Sequence, residues 1–186
     1  MVEGVGHSNE PVRGNAMRLK EAALRWFNDL SAQGILITDA ELNIQSWNHW
    51  LEIHSGLSAA EMMGRNLLEA YPDLVGRRLD EYYRDALAGQ VRILSQRLHG
   101  HLLPMPPEDG DVPFKQMQQS ARIAPLIEDD QVIGTITVIN DVTERVTRED
   151  ALVQLLASEK SARAEAEAAN RAKEEFLATV SHELRT

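Results

Sequence analysis

The sequence predicts an α+β domain that runs into one long helix, and three observations predict it. Two short apolar runs separated by a turn open the domain, helix signals fill its middle, and three further strand-like runs close it. Strands, then helices, then strands is the order in which segregated α+β domains are built. The third observation concerns the C-terminal quarter: no Gly occurs after Gly134 and no Pro after Pro125, so nothing in the sequence interrupts a helix beyond Asp141.

Residues Met1 to Gly14 mix Gly, Pro, Ser and Asn without periodicity and read as a mobile leader. Between Arg13 and Ser31, Met17, Ala23, Leu24, Phe27 and Leu30 recur at helical spacing, with Arg18, Lys20, Glu21 and Arg25 on the wet side. Such a stripe needs a partner, either the neighbouring sheet or the same helix of a second subunit. Residues 1–32 are thus a leader and flanking helix, 33–140 the domain proper and 141–186 the terminal helix.

Gln33 to Asp39 reads as a strand, Ala40 to Asn43 as a turn, and Ile44 to Trp47 as the returning strand of a hairpin. Short helices are predicted over Asn48 to His54, Ser58 to Met63 and Leu67 to Ala70. The second has Ser58 as N-cap and Glu61 three residues on, a capping box. Gly56, Gly64 and Pro72 punctuate them. A longer helix is predicted from Leu74 to Ala88, ended by Gly89. Strands come next over Val91 to Leu98, Lys115 to Ile127 and Gln131 to Asn140, the last two joined by the acidic turn Glu128-Asp129-Asp130. Leu102 to Asp111 carries Pro104, Pro106, Pro107 and Gly110 and cannot continue a strand. It reads as an excursion, either a lid over a pocket or an added loop. Trp26, Trp47, Trp50, Tyr82 and Tyr83 read as core or interface aromatics.

With 186 residues and 43% hydrophobic residues, the chain suffices for one domain with a real core plus appendages. A net charge of -10 and a pI near 5.1 argue against nucleic acid and anionic membrane surfaces as partners. No apolar run approaches the roughly 18 residues of a membrane span, and no signal-peptide core opens the chain. Together with the absence of Cys, this leads to the expectation of a cytoplasmic protein.

At the helix start, Asp141 is expected to cap and Glu144 to answer it in a second capping box, coupling the last strand stiffly to the helix. Leu152, Leu155, Glu159, Ala162, Ala166, Ala169, Lys173, Phe176 and Val180 then alternate at steps of three and four, a heptad seam with an Ala-rich centre. Ala buries little, and Glu159 and Lys173 stand in the seam, so the expected parallel dimer is weak and easily re-registered. Glu144–Arg148, Glu159–Arg163 and Glu167–Arg171 are expected i,i+4 pairs. Near the end Phe176, Val180 and Leu184 fall on one helix face and His182 on the opposite, solvent side. An exposed imidazole has a pKa of about 6.5 and keeps a lone pair at neutral pH, so His182 is a candidate nucleophile. A zinc-protease pattern fails, because Thr186 stands where the second His is needed.

The string from Phe176 to Thr186 closely resembles the phosphoacceptor box of sensor histidine kinases, whose His takes a phosphoryl group from ATP and passes it to an aspartate of a response regulator. The resemblance implies His182 as phosphoacceptor and Glu183 as the carboxylate that orients the imidazole and accepts its proton. It implies Thr186 as the residue placing the water that dephosphorylates the partner regulator. No Gly-rich nucleotide-binding segment occurs in the chain, so ATP and Mg²⁺ are implied for a separate kinase catalytic domain.

Farther upstream, Gly34-Ile35-Leu36-Ile37-Thr38-Asp39, Trp47-Asn48, Gly56 through Arg65, and Ile133-Gly134-Thr135 through Arg145 together resemble a PAS sensor domain over Gln33 to Arg145. That resemblance implies a five-stranded antiparallel sheet with helices on one face, around a pocket or merely a core. It also implies that Asp141, Thr143, Glu144 and Arg145 transmit the signal into the helix. The ligand is unknown. Flavin domains of this fold that form a Cys adduct are excluded by the absence of Cys, and the predicted Leu74 to Ala88 helix, with Arg78 and Leu79 near the relevant turn, has no His for a haem. His99 and His101, two apart on the expected strand, share a face and would suit a metal. The alternative to a kinase fragment is a non-enzymatic PAS dimerisation or ligand-binding scaffold whose terminal His is incidental.

Overall fold

Asp39 organises the first reversal of the chain. It ends strand β1 (Gly34–Asp39), which pairs antiparallel with β2 (Ile44–Trp47) in the register Leu36↔Trp47. Its Oδ1 accepts from the backbone N–H of Asn43 at 2.8 Å and Glu41 at 3.1 Å, and its Oδ2 accepts from Gln45 Nε2 at 2.8 Å and Asn43 Nδ2 at 3.1 Å. These bonds hold a turn in which Leu42 takes φ 65°, a left-handed conformation that costs a non-glycine residue about 1 kcal/mol or more. In this computed structural model the described residues are 18, 19, 22, 29–108, 110 and 112–183, with the helix backbone alone from 175 onward. The expected helix between Arg13 and Ser31, Trp26 included, lies almost entirely outside them.

Asn48 connects the hairpin to the helices. Its buried side chain accepts from Ile35 N at 3.0 Å and from Leu51 N at 3.2 Å, and donates to Gln33 O at 2.8 Å. One amide thus satisfies the start of β1 and caps α1 (His49–Ser55). The capping box of Ser58 and Glu61 starts α2 (Ala59–Met62), and Asn66 caps α3 (Leu67–Ala70).

The single helix expected over Leu74 to Ala88 is two: α4 (Asp73–Gly76) and α5 (Asp80–Leu87), broken at Arg78 with φ 59°. The reason is burial. Leu74 and Leu79 are both 1% exposed, yet residues five apart on a continuous helix point about 140° away from each other. Closing the chain through Leu79 N→Leu74 O at 2.8 Å brings both side chains inside.

Strand β3 is also shorter than expected, Arg92–Leu94 instead of Val91 to Leu98. The Ser95 carbonyl accepts from Leu98 N at 3.2 Å and His99 N at 3.1 Å, which turns the chain into α6 (Gln96–His99). Strand β4 (Gln119–Glu128) starts four residues later than expected, and β5 (Gln131–Asp141) completes the sheet in the order β2-β1-β5-β4-β3, every pair antiparallel. Asp129 and Asp130 carry φ of 47° and 61°, the two left-handed residues of a tight hairpin turn. One sheet face carries Leu36, Thr38, Leu94, Ala121, Ile123, Thr135, Thr137 and Ile139, all buried, and the helices supply Trp50, Leu51, Leu67, Leu74, Tyr83 and Ala86 to the same core.

Two units can be distinguished, residues 1–143 and 144–186. The second is the body of α7 (Thr143–Glu183), a helix of 41 residues. Glu144 pairs with Arg148 as expected, and Arg145 pairs with Glu149 at 2.9 Å. Arg163 has a carboxylate one turn away in each direction and takes Glu167, at 2.9 Å, in place of the expected Glu159. These exposed pairs contribute only a few tenths of a kcal/mol each.

Two measurements check this account. A Cβ on Gly134 would stand 2.0 Å from the Thr38 carbonyl oxygen, whereas one on Gly56, at φ 73°, would meet nothing. In urea unfolding, Gly134→Ala is expected to lose about 3 kcal/mol or more and Gly56→Ala about 1 kcal/mol. Asp39 supplies the second. Slight burial pushes its pKa up, and the bonds from Asn43, Gln45 and Glu41 together outweigh that, leaving it below its ordinary value of 3.8. A depressed carboxylate contributes stability above its unfolded pKa that is lost as pH falls through the folded one. The deficit of Asp39→Asn should therefore be present at pH 7 and shrink towards zero below pH 3.8.

Candidate functional site

The inner face of the sheet carries several buried polar side chains. Thr38 and Thr135, cross-strand partners on β1 and β5, share a hydroxyl–hydroxyl hydrogen bond of 2.8 Å, and Thr137 Oγ1 donates to the Tyr83 hydroxyl at 3.3 Å. Thr135, Thr137 and Tyr83 are fully buried. Burial pushes the Tyr83 phenol far up against the smaller opposing effect of Thr137, so it stays neutral. Tyr71 stacks on Trp47 with ring centroids 6.3 Å apart, and Trp47 Nε1 donates to Leu57 O at 3.0 Å. The Tyr71 hydroxyl is buried without a hydrogen-bond partner. Burial also raises its pKa, with Arg65 acting weakly the other way.

The segment after α6 enters this interior, and here the structure corrects the expectation of a lid or an added loop. Leu102, Leu103 and Met105 are 1%, 0% and 0% exposed and belong to the core, while Pro104 and Pro106 face out. The buried amide of Gln119, the first residue of β4, holds the segment in place. Its Oε1 accepts from Leu102 N at 2.9 Å and Leu103 N at 3.1 Å, and its Nε2 donates to Leu103 O at 2.8 Å. Met117 N donates to Met105 O at 2.8 Å, and Glu108 reaches His54 Nε2 at 3.4 Å. The sequence signal is the alternation Leu103-Pro104-Met105-Pro106, apolar in and proline out, at the period of an extended chain.

His99 and His101 do not share a strand face. His99 ends α6, and His101 comes after Gly100 at φ 71°. Both ring nitrogens of His99 are engaged, Nε2 with Tyr82 OH and Nδ1 with Ser95 O, each at 3.0 Å. Burial and then the Arg77 charge push His101 below its ordinary pKa, against a smaller effect of Asp73. Arg77 donates to the backbone oxygens of both His99 and His101. Among the described residues, no group of three or more His, Cys, Asp or Glu could hold a metal.

The junction to α7 is built on Thr143, its first residue, which is buried. Thr143 Oγ1 accepts from Gln118 N at 2.9 Å, and Val142 N donates to Gln118 O at 2.8 Å. Asp141, exposed at the end of β5, accepts Thr143 N at 2.7 Å. The expected box between Asp141 and Glu144 is replaced by these bonds. The helix begins at Thr143, so Val142 stands at the cap and Glu144 is one position short of where a box carboxylate sits. Glu144 and Arg145 instead point along α7 to Arg148 and Glu149. His182 and Glu183 lie on the α7 backbone, with side chains outside the described residues, and Thr186 lies outside altogether.

A model of the PAS fold matches residues 29–147, and the chain belongs to the PAS family. An RNA-binding light-oxygen-voltage receptor is similar at 22% identity and a TM-score of 0.55, over 86% of this chain and 42% of that one. A phage VqmA-DPO complex is similar at 19% identity and a TM-score of 0.51, over 77% of this chain and 62% of that one. A sensory box sensor histidine kinase from Vibrio cholerae matches at 21% identity and a TM-score of 0.41, over 68% of this chain and 94% of that one. At these identities the likeness is one of fold. No curated protein sequence matches the chain. No described helix is long and apolar enough to cross a membrane.

The unpartnered Tyr71 hydroxyl yields a test. A buried hydroxyl without a partner costs about 1–3 kcal/mol, so Tyr71→Phe should leave stability unchanged or raise it in urea unfolding. A loss of more than about 0.5 kcal/mol, a hydrogen bond's lower bound, would show that the hydroxyl is satisfied.

Proposed function

We propose that this chain is the sensory and phosphoacceptor portion of a two-component sensor histidine kinase. The observation that carries the reading is the string Phe176 to Thr186, which as far as Glu183 lies on a helix that follows the last strand of a PAS domain. Backbone continuity from Thr143 to Glu183 supports a direct mechanical route from sensor to acceptor.

In this reading a ring nitrogen of His182 attacks the γ-phosphorus of ATP in line. The N–P bond forms as the bond to the bridging oxygen breaks, ADP leaves, and Glu183 accepts the proton of the other ring nitrogen. A kinase catalytic domain supplies ATP and Mg²⁺. The phosphoryl group then passes to a response-regulator aspartate, with Thr186 placing water for the reverse duty. The unit acts as a cytoplasmic homodimer joined through the N-terminal helix and the α7 seam. Leu152, Val153, Leu155 and Leu156 are all more than half exposed, which supports a partner along that seam.

A second reading, a PAS scaffold without phosphotransfer, draws support from Leu102, Leu103 and Met105 being packed into the domain core. The two are separated by incubating the protein with a separately expressed kinase catalytic domain and labelled ATP. Acid-labile label is expected on the wild type and is abolished in His182→Gln. Label retained by the variant overturns the assignment of His182, and an unlabelled wild type favours the scaffold.

A further inference from the structure

Between α6 and the core segment from Leu102 the chain reverses within three residues, His99-Gly100-His101. Gly100 has φ 71° and ψ -68°, and His101 N donates to His99 O at 2.8 Å. These are the marks of the γ-turn with positive φ, a rare and strained form that persists only where its surroundings hold it. Here they do. His99 N donates to Ser95 O at 3.1 Å and Gly100 N to Gln96 O at 2.7 Å, and Gly100 O accepts from Gln119 N at 2.9 Å. The two outer carbonyls, His99 O and His101 O, both accept from Nη2 of Arg77, the first at 2.7 Å. Arg77 follows α4, and its Nη1 is braced by Asp73 at 3.2 Å. One guanidinium nitrogen therefore clasps both ends of the turn.

We infer that this turn is an acid-sensitive hinge: it stays closed while the His101 ring is neutral and is released when a proton on that ring sets a second cation beside the clasping Arg77. A guanidinium is always charged, so the conflict is decided by His101 alone. The ring is half-buried, which leaves the Arg77 field weakly screened there.

Burial and then the Arg77 charge hold His101 below the ordinary value of 6.5, with Asp73 opposing them weakly. The other titratable groups around the turn have partners of their own. His99 donates through Nδ1 to Ser95 O and accepts at Nε2 from the Tyr82 hydroxyl, so its neutral form satisfies both contacts. Arg92 lies over the Tyr82 ring, 4.7 Å from its centroid, and pairs with Asp85 at 3.3 Å. The start of β4, bonded to the turn through Gln119, carries Gln118, Gln119 and Ser120, none of which titrates. Because the closed turn lowers the pKa of His101, the open chain takes up the proton first on acidification. The stability of the closed turn is whole above pH 6.5 and is lost as the pH falls below it. Opening frees Gln119 N and detaches Arg77, so the chain entering the core at Leu102 loses its anchors to α4 and β4 together. The hinge goes beyond the proposed function and operates with or without phosphate on His182.

Hydrogen exchange on the whole chain, with each rate divided by its intrinsic value at the same pH, tests the hinge. From about pH 7.5 to about pH 5.5, a range that brackets an ordinary imidazole, the amides of Gly100, His101 and Gln119 should lose protection severalfold. Thr137, on the inner face of the sheet, should keep its own. His101→Gln, which cannot take up a proton there, should abolish the acid loss. Arg77→Gln should lower the protection of the three amides already at about pH 7.5. No acid loss in the wild type, or an equal loss in His101→Gln, overturns the inference, and full protection in Arg77→Gln refutes the clasp. A second measurement needs no variant. The ring resonances of His101, followed by NMR over the same range, should titrate in step with the loss of protection, and a ring that titrates while the three amides stay protected also overturns the hinge.

Discussion

Strand β5 pairs along both of its edges, with β1 from Gly34↔Ile139 to Asp39↔Gly134 and with β4 from Gln119↔Asp141 to Glu128↔Gln131. The register of the whole sheet is therefore set on one strand, and a slip of one residue would exchange its inner and outer faces. On the inner face that slip would replace Thr135, Thr137 and Ile139 with Gly134, Ile136 and Val138 and would separate Thr38 from Thr135. Gly134 marks the tightest point of the arrangement, where a β-carbon would collide with the neighbouring backbone. The same strand ends at Asp141, two residues before α7 begins. Only Val142 separates the end of β5 from the first residue of α7.

The energetic character of the interior is a consequence of that geometry. Buried threonines cost free energy unless they find partners, and here each of the three on the inner face has a hydroxyl contact. In this chain the remaining volume is taken by Leu102, Leu103 and Met105, each of which would remove about 1.5–3 kcal/mol of apolar exposure on burial. The inner face thus pairs its own polar groups, and the segment from Leu102 completes the core beside it.

Where structure was legible in the sequence, the signal was local. Ser58 with Glu61, Gly56 after a short apolar helix and the Glu128-Asp129-Asp130 turn each act within four residues, and the order of elements along the chain and the family emerge from such pieces taken together. The misread elements were decided at long range. Nothing near Arg78 announces a helix break; the break exists because Leu74 and Leu79 must both face a core assembled from distant strands. Strand β3 stops at Leu94 because β4 pairs with it only over Ala121 to Ile123. The segment from Leu102 resembles a solvent-exposed loop because its prolines dominate its composition, while the residue that holds it, Gln119, lies 17 positions on. Asp141 stands one position farther from the helix than its capping pattern suggests, for the same reason: Thr143 is drawn inward by Gln118, beside another strand.

The helix beyond that junction has a different logic. Its leucines cluster early, at Leu152, Leu155 and Leu156, and its middle seam is Ala, so burial per turn falls along its length while the i,i+4 charge pairs keep it helical. A pair of such helices would be held firmly near the sensor and loosely near His182. Phe176, Val180 and Leu184 then recur at four and four, a step that departs from the heptad and unwinds a left-handed supercoil locally. In the proposed dimer, a rotation started at Thr143 would meet little resistance in the Ala-rich stretch and would reach its phase mismatch at the proposed acceptor. In a pair built this way, the small burial in the middle is what lets the far end take two registers, and a seam of leucine throughout would hold it in one.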